Sequence, residues 1–135
     1  DFIGTNPDRT FPNPEGQVPG AGSMLAAIEA ATDTPPLVIG KPNAPMFRTA
    51  LDHLGTPAER TLMIGDRLNT DIEGAKAVGM PSVLLFTGVT TQADLSAADG
   101  ATWPDVAYEG LPELLQAWAG DAWYRARVKA RRGQS

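Results

Sequence analysis

The sequence contains no cysteine, which excludes a disulfide, a zinc–thiolate site and a thiol nucleophile from this chain. It also lacks any apolar run near the roughly 18–20 residues that a membrane-spanning helix needs, and no signal-peptide pattern opens it. The only histidine, His53, is predicted mid-helix with no serine or aspartate partner motif, so a Ser-His-Asp triad is rejected. These absences favour a cytoplasmic protein without a membrane partner.

Charged and apolar residues are present in the proportions of a globular protein. Of the 135 residues, 42% are hydrophobic and 20% are charged, which predicts at most one ordinary domain with its own core. The net charge is −5, yet residues 125–132 hold five of the eleven basic groups. Such a tail either contacts nucleic acid or anionic lipid, or is a solvated helix end. We favour the helix end and expect no nucleic-acid partner, because no aromatic–basic interleaving accompanies the tail.

From residue 37 onward, short apolar runs alternate with amphipathic stretches. The runs predict buried strands, and the stretches predict helices that begin at Asn43 and Thr70 and end at Gly55 and Gly79. Thr70 and Glu73 have the spacing of a capping box. Strands are predicted at 37–40, 60–65 and 82–88, followed by a helix at 91–99, a weak edge strand at 103–108 and a closing helix at 111–118. This alternation predicts an α/β fold with a doubly wound parallel sheet and helices on both faces.

Residues 1–36 have a different character. The chain starts without a methionine inside a strand-like run, which indicates a piece of a longer protein. A short strand precedes a Pro/Gly-rich loop at 6–22 and an amphipathic helix from Ser23 to about Ala31. Pro35 and Pro36 then predict a boundary. Side chains expected in the core are Phe47, Ala50, Leu51 and Leu54 of the helix at 43–55, the methionines Met24, Met46, Met63 and Met80, and the tryptophans Trp103, Trp118 and Trp123.

The loops after two of the predicted strands carry a lysine and two aspartates. In open α/β sheets, ligands bind beyond the carboxyl ends of the strands. Gly65 permits a tight turn from which the Asp66 carboxylate can bind Mg²⁺ as a hard oxygen ligand. Asp71 can orient this group, and Lys41 can bind phosphate as a point charge. Each residue also has a purely local explanation: a turn aspartate, an acid favoured by the helix dipole, and an exposed loop lysine.

Five segments, in their order and spacing, resemble the NagD-like phosphatases of the haloacid dehalogenase (HAD) superfamily: IGTNPD, PGAGSMLAAIEAAT, IGKP, TLMIGDRLNTDIEGAKAVGM and LLFTGVTT. This branch includes 4-nitrophenylphosphatases and phosphatases of phosphoglycolate, glycerol 3-phosphate and pyridoxal phosphate. The resemblance covers residues 2 to about 115. It implies the C-terminal half of a Rossmann-like core at 37–135, preceded by the end of a large α/β cap of the C2 type at 1–36.

The chemistry implied by the resemblance is Mg²⁺-dependent hydrolysis of small phosphate monoesters through an aspartyl-phosphate intermediate. Lys41 then matches the catalytic cation that neutralises the nucleophile and the bound phosphoryl group. Asp66 matches the Mg²⁺ ligand, and Asp71 matches its supporting catalytic acid. Asn6 and Asp8, in a strand and loop of the cap, are assigned with Lys41 to substrate binding. The expected cofactor is Mg²⁺, and the expected partner is a small phosphorylated metabolite.

The family's first motif, Asp-x-Asp-Gly, supplies the nucleophile and the general acid/base, and it has no counterpart in this sequence. The Ser/Thr of the second motif and most of the cap are missing as well. We therefore expect this chain to be inactive alone and to need the N-terminal half of the same protein; a homodimer is a further candidate partner. One alternative is a non-catalytic anion-binding or interaction domain with the HAD fold. Another is a nucleic-acid binder that uses the basic tail, with salt-sensitive binding.

Overall fold

The computed structural model describes residues 1–100 and 102–120. Its strands are β1 (Ile3–Gly4), β2 (Thr10–Asn13), β3 (Gly16–Pro19), β4 (Leu37–Val38), β5 (Met63–Gly65), β6 (Ser82–Leu85) and β7 (Val106–Tyr108). Its helices are α1 (Ala21–Thr32), α2 (Ala44–Leu54), α3 (Glu73–Ala77), α4 (Gln92–Ala97) and α5 (Leu111–Ala119), with a 3₁₀ turn at Ala58–Arg60 and a π-helical turn at Leu68–Ile72.

Strands β5, β6 and β7 form a parallel sheet in that order. Met63 of β5 lies opposite Ser82 of β6, and Val83 of β6 lies opposite Val106 of β7. All four residues of the central strand β6 are buried, as expected for a parallel strand that is covered on both faces. The parallel α/β sheet predicted from the sequence is therefore confirmed, and among the described strands β7 lies at an edge, as predicted.

Helices cover both faces of this sheet. Because side chains alternate along a strand, Val83 and Leu85 point to one face and Leu84 to the other. The two buried apolar clusters follow this division: one contains Phe47, Ala75 and Met80, and the other contains Val83, Leu85 and Leu114. Helices α2 and α3 thus pack on one face through the first cluster, and α5 packs on the other through the second.

The segment before residue 41 forms two small sheets of its own. Strand β4 pairs in parallel with β1, so it is not joined to β5 as the alternation in the sequence suggested. The region predicted as a Pro/Gly-rich loop contains the antiparallel hairpin β2–β3. Prolines are tolerated there because strands of a two-stranded ribbon have a free edge. Helix α1 begins at Ala21 rather than Ser23, with Gly20 as its N-cap. The boundary at residues 36/37 stays a prediction.

Six apolar residues predicted in the core are instead exposed: Met24, Met46, Ala50, Leu54, Trp103 and Trp118. The predicted core positions Phe47, Leu51, Met63 and Met80 are buried or partly buried. Leu54, for example, is 60% exposed at the end of α2, beyond the part of that helix that packs on α3. The spacing of apolar residues predicts which face of a helix is apolar, but it does not predict whether another element packs on every part of that face. Trp123 and the basic tail at 125–132 lie outside the described residues.

Candidate active site

The Asp66 carboxylate lies between two loops that leave the same edge of the parallel sheet. Asp66 directly follows β5, and residues 86–90 follow the neighbouring strand β6. The backbone N–H of Val89 donates to Asp66 Oδ2 over 3.1 Å. The N–H of Thr90 donates to the Asp66 carbonyl oxygen over 3.3 Å. Carboxyl ends of adjacent parallel strands meet at one edge, and these bonds connect the two loops there.

A π-helical turn, Leu68–Ile72, places the Asp71 carboxylate beneath the start of its own helical segment. The amides of Asp71 and Ile72 both donate to the carbonyl oxygen of Arg67, at 3.1 and 3.2 Å. In return, Asp71 Oδ2 accepts the backbone N–H groups of Asp66 and Arg67, at 3.1 and 3.2 Å. π-Helical turns occur frequently at functional sites. The π-helical turn thus places the Asp71 carboxylate where it holds the Asp66 loop through two backbone N–H groups.

This arrangement overturns the predicted start of the helix at Thr70. The helical segment begins at Leu68, Arg67 occupies the N-cap position, and no side chain caps it. The capping box between Thr70 and Glu73 does not form, because Thr70 lies inside the helical segment and not at its N-cap. The predicted end is confirmed, since Gly79 has a φ of 78° just beyond α3.

Asp71 can approach its loop closely because residue 65 is a glycine. A Cβ atom on Gly65 would lie 2.5 Å from Asp71 Cγ, closer than any real Cβ contact. Asp71 itself is 3% exposed, so its carboxylate depends on protein groups for its hydrogen bonds. The sequence analysis expected Gly65 to permit a tight turn; in the structure it is the last residue of β5 without a positive φ, and its missing side chain makes room for Asp71.

Lys41 lies in the loop after β4 and contacts Asp71. Its Nζ donates to Asp71 Oδ1 over 2.7 Å, in an ion pair whose lysine side chain is 41% exposed and whose aspartate side chain is 4% exposed. The preceding residue, Gly40, packs against the backbone of Thr5 and Asn6. The cis peptide bond Lys41–Pro42 follows. The structure thus brings Lys41, Asp66 and Asp71 together, as the sequence analysis predicted.

The three side chains differ in how many of their polar atoms make hydrogen bonds to the protein. Both Asp71 oxygens accept hydrogen bonds, one from Lys41 and the other from two backbone amides. Asp66 Oδ2 accepts from Val89, whereas its Oδ1 makes no hydrogen bond within residues 1–100 and 102–120. A free carboxylate oxygen suits Mg²⁺ in kind. Within the same residues, however, no three acidic or histidine side chains lie close enough together to hold a metal ion. Asp66 is therefore the group that could ligate a metal, and Asp71 supports it.

Asn6 and Asp8 lie apart from these three side chains. Asn6 Oδ1 accepts the N–H of Asp8 over 3.1 Å, and both residues line a hollow of about 280 Å³ between the hairpin and the start of α1. In the described part of the chain, neither side chain bonds to Lys41, Asp66 or Asp71. Asn6 nevertheless adjoins the lysine loop, because a Cβ on Gly40 would lie 3.6 Å from Asn6 Cα. Their assignment to substrate binding stays a prediction.

The sequence analysis assigned no role to the loop at residues 88–90. Its amides hold both the backbone and the side chain of Asp66. One signal was available, because this loop follows the strand predicted at 82–88, and the carboxyl ends of parallel strands share an edge. As for membranes, none of the helices in the described residues combines the length and apolarity needed to cross one.

Comparison with known proteins identifies the family. Residues 38–114 match the model of the HAD-hydrolase-like family. Dihydroxyacetone phosphatase from Corynebacterium glutamicum is 46% identical over 70% of this chain and 34% of its own length. D-glycerol 3-phosphate phosphatase from Mycobacterium tuberculosis is 41% identical over 85% of this chain and 32% of its own. This chain therefore spans about a third of the length of these relatives.

A solved structure agrees with this result. The glycerol phosphate phosphatase from Mycobacterium tuberculosis in complex with magnesium superposes with a TM-score of 0.72 and 39% identity, over 84% of this chain and 34% of that one. The same enzyme has also been solved in complex with calcium. The fold, the family model and the relatives agree, and this chain belongs to the HAD-hydrolase-like family.

Proposed function

We propose that the whole protein is a Mg²⁺-dependent phosphatase that hydrolyses small phosphate monoesters through an aspartyl-phosphate intermediate. The observation that carries this proposal is the contact of Lys41 with Asp71 beneath the Asp66 loop, at the carboxyl edge of the parallel sheet. The phosphatase names of the relatives and the magnesium- and calcium-bound relative support it.

Each residue contributes a distinct action in this proposal. Asp66 would hold the metal through its free oxygen, and Asp71 orients the Asp66 backbone and the Lys41 ammonium. Lys41, with its side chain 41% exposed, keeps donors free for a phosphoryl group while one N–H binds Asp71. When bound, Mg²⁺ would supply positive charge to the phosphoryl oxygens. The attacking carboxylate would come from the N-terminal part of the protein, and Asn6 and Asp8 would contact the rest of the substrate.

The open edge of β5 supports the N-terminal half of the same protein as a partner. Within the described residues, β5 pairs only with β6, and its Ile64 is 38% exposed although the central strand is buried. An unpaired strand edge beside an exposed apolar side chain favours pairing with a further strand. A homodimer is a second proposed assembly. The cysteine-free composition supports a cytoplasmic location. A nucleic-acid or membrane partner is not part of the proposal.

The proposal is tested by aspartate-to-asparagine variants of the intact protein, with kcat/KM measured at several Mg²⁺ concentrations. Asp66→Asn should abolish most activity, because it removes the charge of a direct metal ligand. Asp71→Asn should reduce activity less, by about 10- to 100-fold, as expected for a residue that acts on a ligand. Asp52→Asn, on the exposed surface of α2, is the matched control and should match the wild type.

Two results would contradict the proposal in different ways. If Asp66→Asn were as active as Asp52→Asn, Asp66 would not be the metal ligand. If the intact wild-type protein hydrolysed no phosphate monoester at any Mg²⁺ concentration, the phosphatase assignment would be wrong. A non-catalytic anion-binding or interaction domain would then be the better description.

A further inference from the structure

The loop at residues 88–90 holds Asp66 at three points. The N–H of Val89 binds Asp66 Oδ2 over 3.1 Å, and the N–H of Thr90 binds the Asp66 carbonyl over 3.3 Å. The third point is Gly88, which lies directly against the carboxylate: a Cβ atom built there would overlap Oδ2 and lie 2.6 Å from Cγ. Main chain and side chain of one residue are therefore both held by a single neighbouring loop.

We infer that this loop is a clamp that directs Asp66 Oδ1 towards a divalent cation, and that Gly88 is a positioning residue for cation binding. The inference deepens the proposed function and rests on it for the identity of the cation site. Oδ2 is occupied by Val89, whereas Oδ1 has no hydrogen-bond partner in the described part of the chain. Mg²⁺ demands near-ideal octahedral geometry, so the direction of a single ligating oxygen affects affinity.

A glycine at residue 88 is required by the space that the Asp66 side chain occupies and not by the backbone conformation. Gly88 is not among the glycines with positive φ, so an alanine could adopt the same backbone conformation. The atoms that a new Cβ would meet belong to the end and stem of the Asp66 side chain. The carboxylate oxygen and Cγ can rotate away about χ1, whereas the Asp66 Cβ, at 2.9 Å, needs a small shift of the backbone. Gly88→Ala should therefore leave the chain folded, turn the carboxylate away and break its bond to Val89.

The first arm of the test needs no metal. In the ¹⁵N-labelled intact protein, the Val89 amide proton resonance should move upfield in Gly88→Ala and in Asp66→Ala, because both variants remove its carboxylate acceptor. Gly100→Ala is the matched control, since a Cβ at residue 100 meets nothing within 4 Å among residues 1–100 and 102–120. An unchanged Val89 resonance in Asp66→Ala would show that the clamp does not exist, even if Gly88→Ala failed to fold.

The second arm uses Mn²⁺ as a paramagnetic probe of the intact protein, because the described residues of this chain supply a single free ligating oxygen. In the wild type and in Gly100→Ala, Mn²⁺ should broaden the amide resonances around Asp66. In Gly88→Ala, the Mn²⁺ concentration needed for equal broadening should rise about 10- to 100-fold. Wild-type broadening in a folded Gly88→Ala would overturn the role of Gly88. If Mn²⁺ broadened no resonance near Asp66 even in the wild type, the proposed metal site would fail, and with it the cation role of the clamp, while the first arm would still decide whether the clamp exists.

Discussion

The ion pair between Lys41 and Asp71 can be measured by a double-mutant cycle. The variants are Lys41→Met, which keeps most of the aliphatic stem, Asp71→Asn, which keeps the shape of the carboxylate, and the double variant. Their free energies of unfolding give the coupling between the two side chains, apart from what each contributes alone. The structure predicts that both single variants destabilise the chain and that the two effects are not additive.

The burial of the pair determines the expected magnitude. Fully exposed ion pairs contribute roughly 0–1 kcal/mol, whereas breaking a buried pair costs about 3–5 kcal/mol. Asp71 is buried but the Lys41 side chain is 41% exposed, so solvent screens one end of the 2.7 Å contact. We therefore expect a coupling energy of about 1–2 kcal/mol. Asp71→Asn alone should cost about 2–3 kcal/mol, because it also weakens two charge-assisted bonds from backbone amides.

Urea unfolding of the four proteins, followed by circular dichroism, supplies the free energies. The m-values must agree among variants, because a changed m-value would indicate a changed extent of unfolding rather than a changed contact. Additive behaviour within about 0.5 kcal/mol would refute the reasoning, since uncoupled sites show that much scatter. Asp71 would then be held by the backbone amides of its loop alone, without help from Lys41.

Three further predictions concern catalysis and pH. In the intact protein, Lys41→Met should lower kcat as well as raise KM, because the ammonium stabilises charge that grows in the transition state; a change confined to KM would limit Lys41 to substrate binding. The 135-residue chain alone should release no 4-nitrophenol from 4-nitrophenyl phosphate with millimolar Mg²⁺, and turnover that vanishes in Asp66→Asn would reveal an unrecognised nucleophile within it. Finally, hydrogen bonds from the Thr91 side chain, and next its backbone, hold the pKa of Asp94 below its ordinary value. The resulting stability of α4 is present above the ordinary pKa of an aspartate and is lost as the pH falls through the lowered pKa, and carboxyl NMR titration should show a higher pKa in Thr91→Ala.

The sequence by itself determined the elements whose signals are local. The apolar runs that became β5 and β6, the glycines after α2 and α3, and the closing helix α5 all follow from periodicity and from backbone preferences. The choice of Lys41, Asp66 and Asp71 also came from local position, since each follows a predicted strand or opens a predicted helix. Asp66 follows β5 at the carboxyl edge of the parallel sheet, as expected. Lys41 follows β4, which belongs to a separate sheet, and it joins the site through its ion pair with Asp71.

Only the tertiary structure decided how these residues contact one another. The helical segment begins at Leu68 and not at Thr70, and the Asp71 carboxylate turns back to accept the backbone N–H groups of Asp66 and Arg67. Met24, Met46 and Leu54 are exposed, since burial depends on which surfaces pack against a helix. Gly88 lies 22 residues after Asp66 in the chain, and only the fold brings its loop against the Asp66 carboxylate. Local patterns reflect backbone preference and hydrophobicity, whereas hydrogen-bond partners and steric room depend on distant segments that only the folded chain brings together.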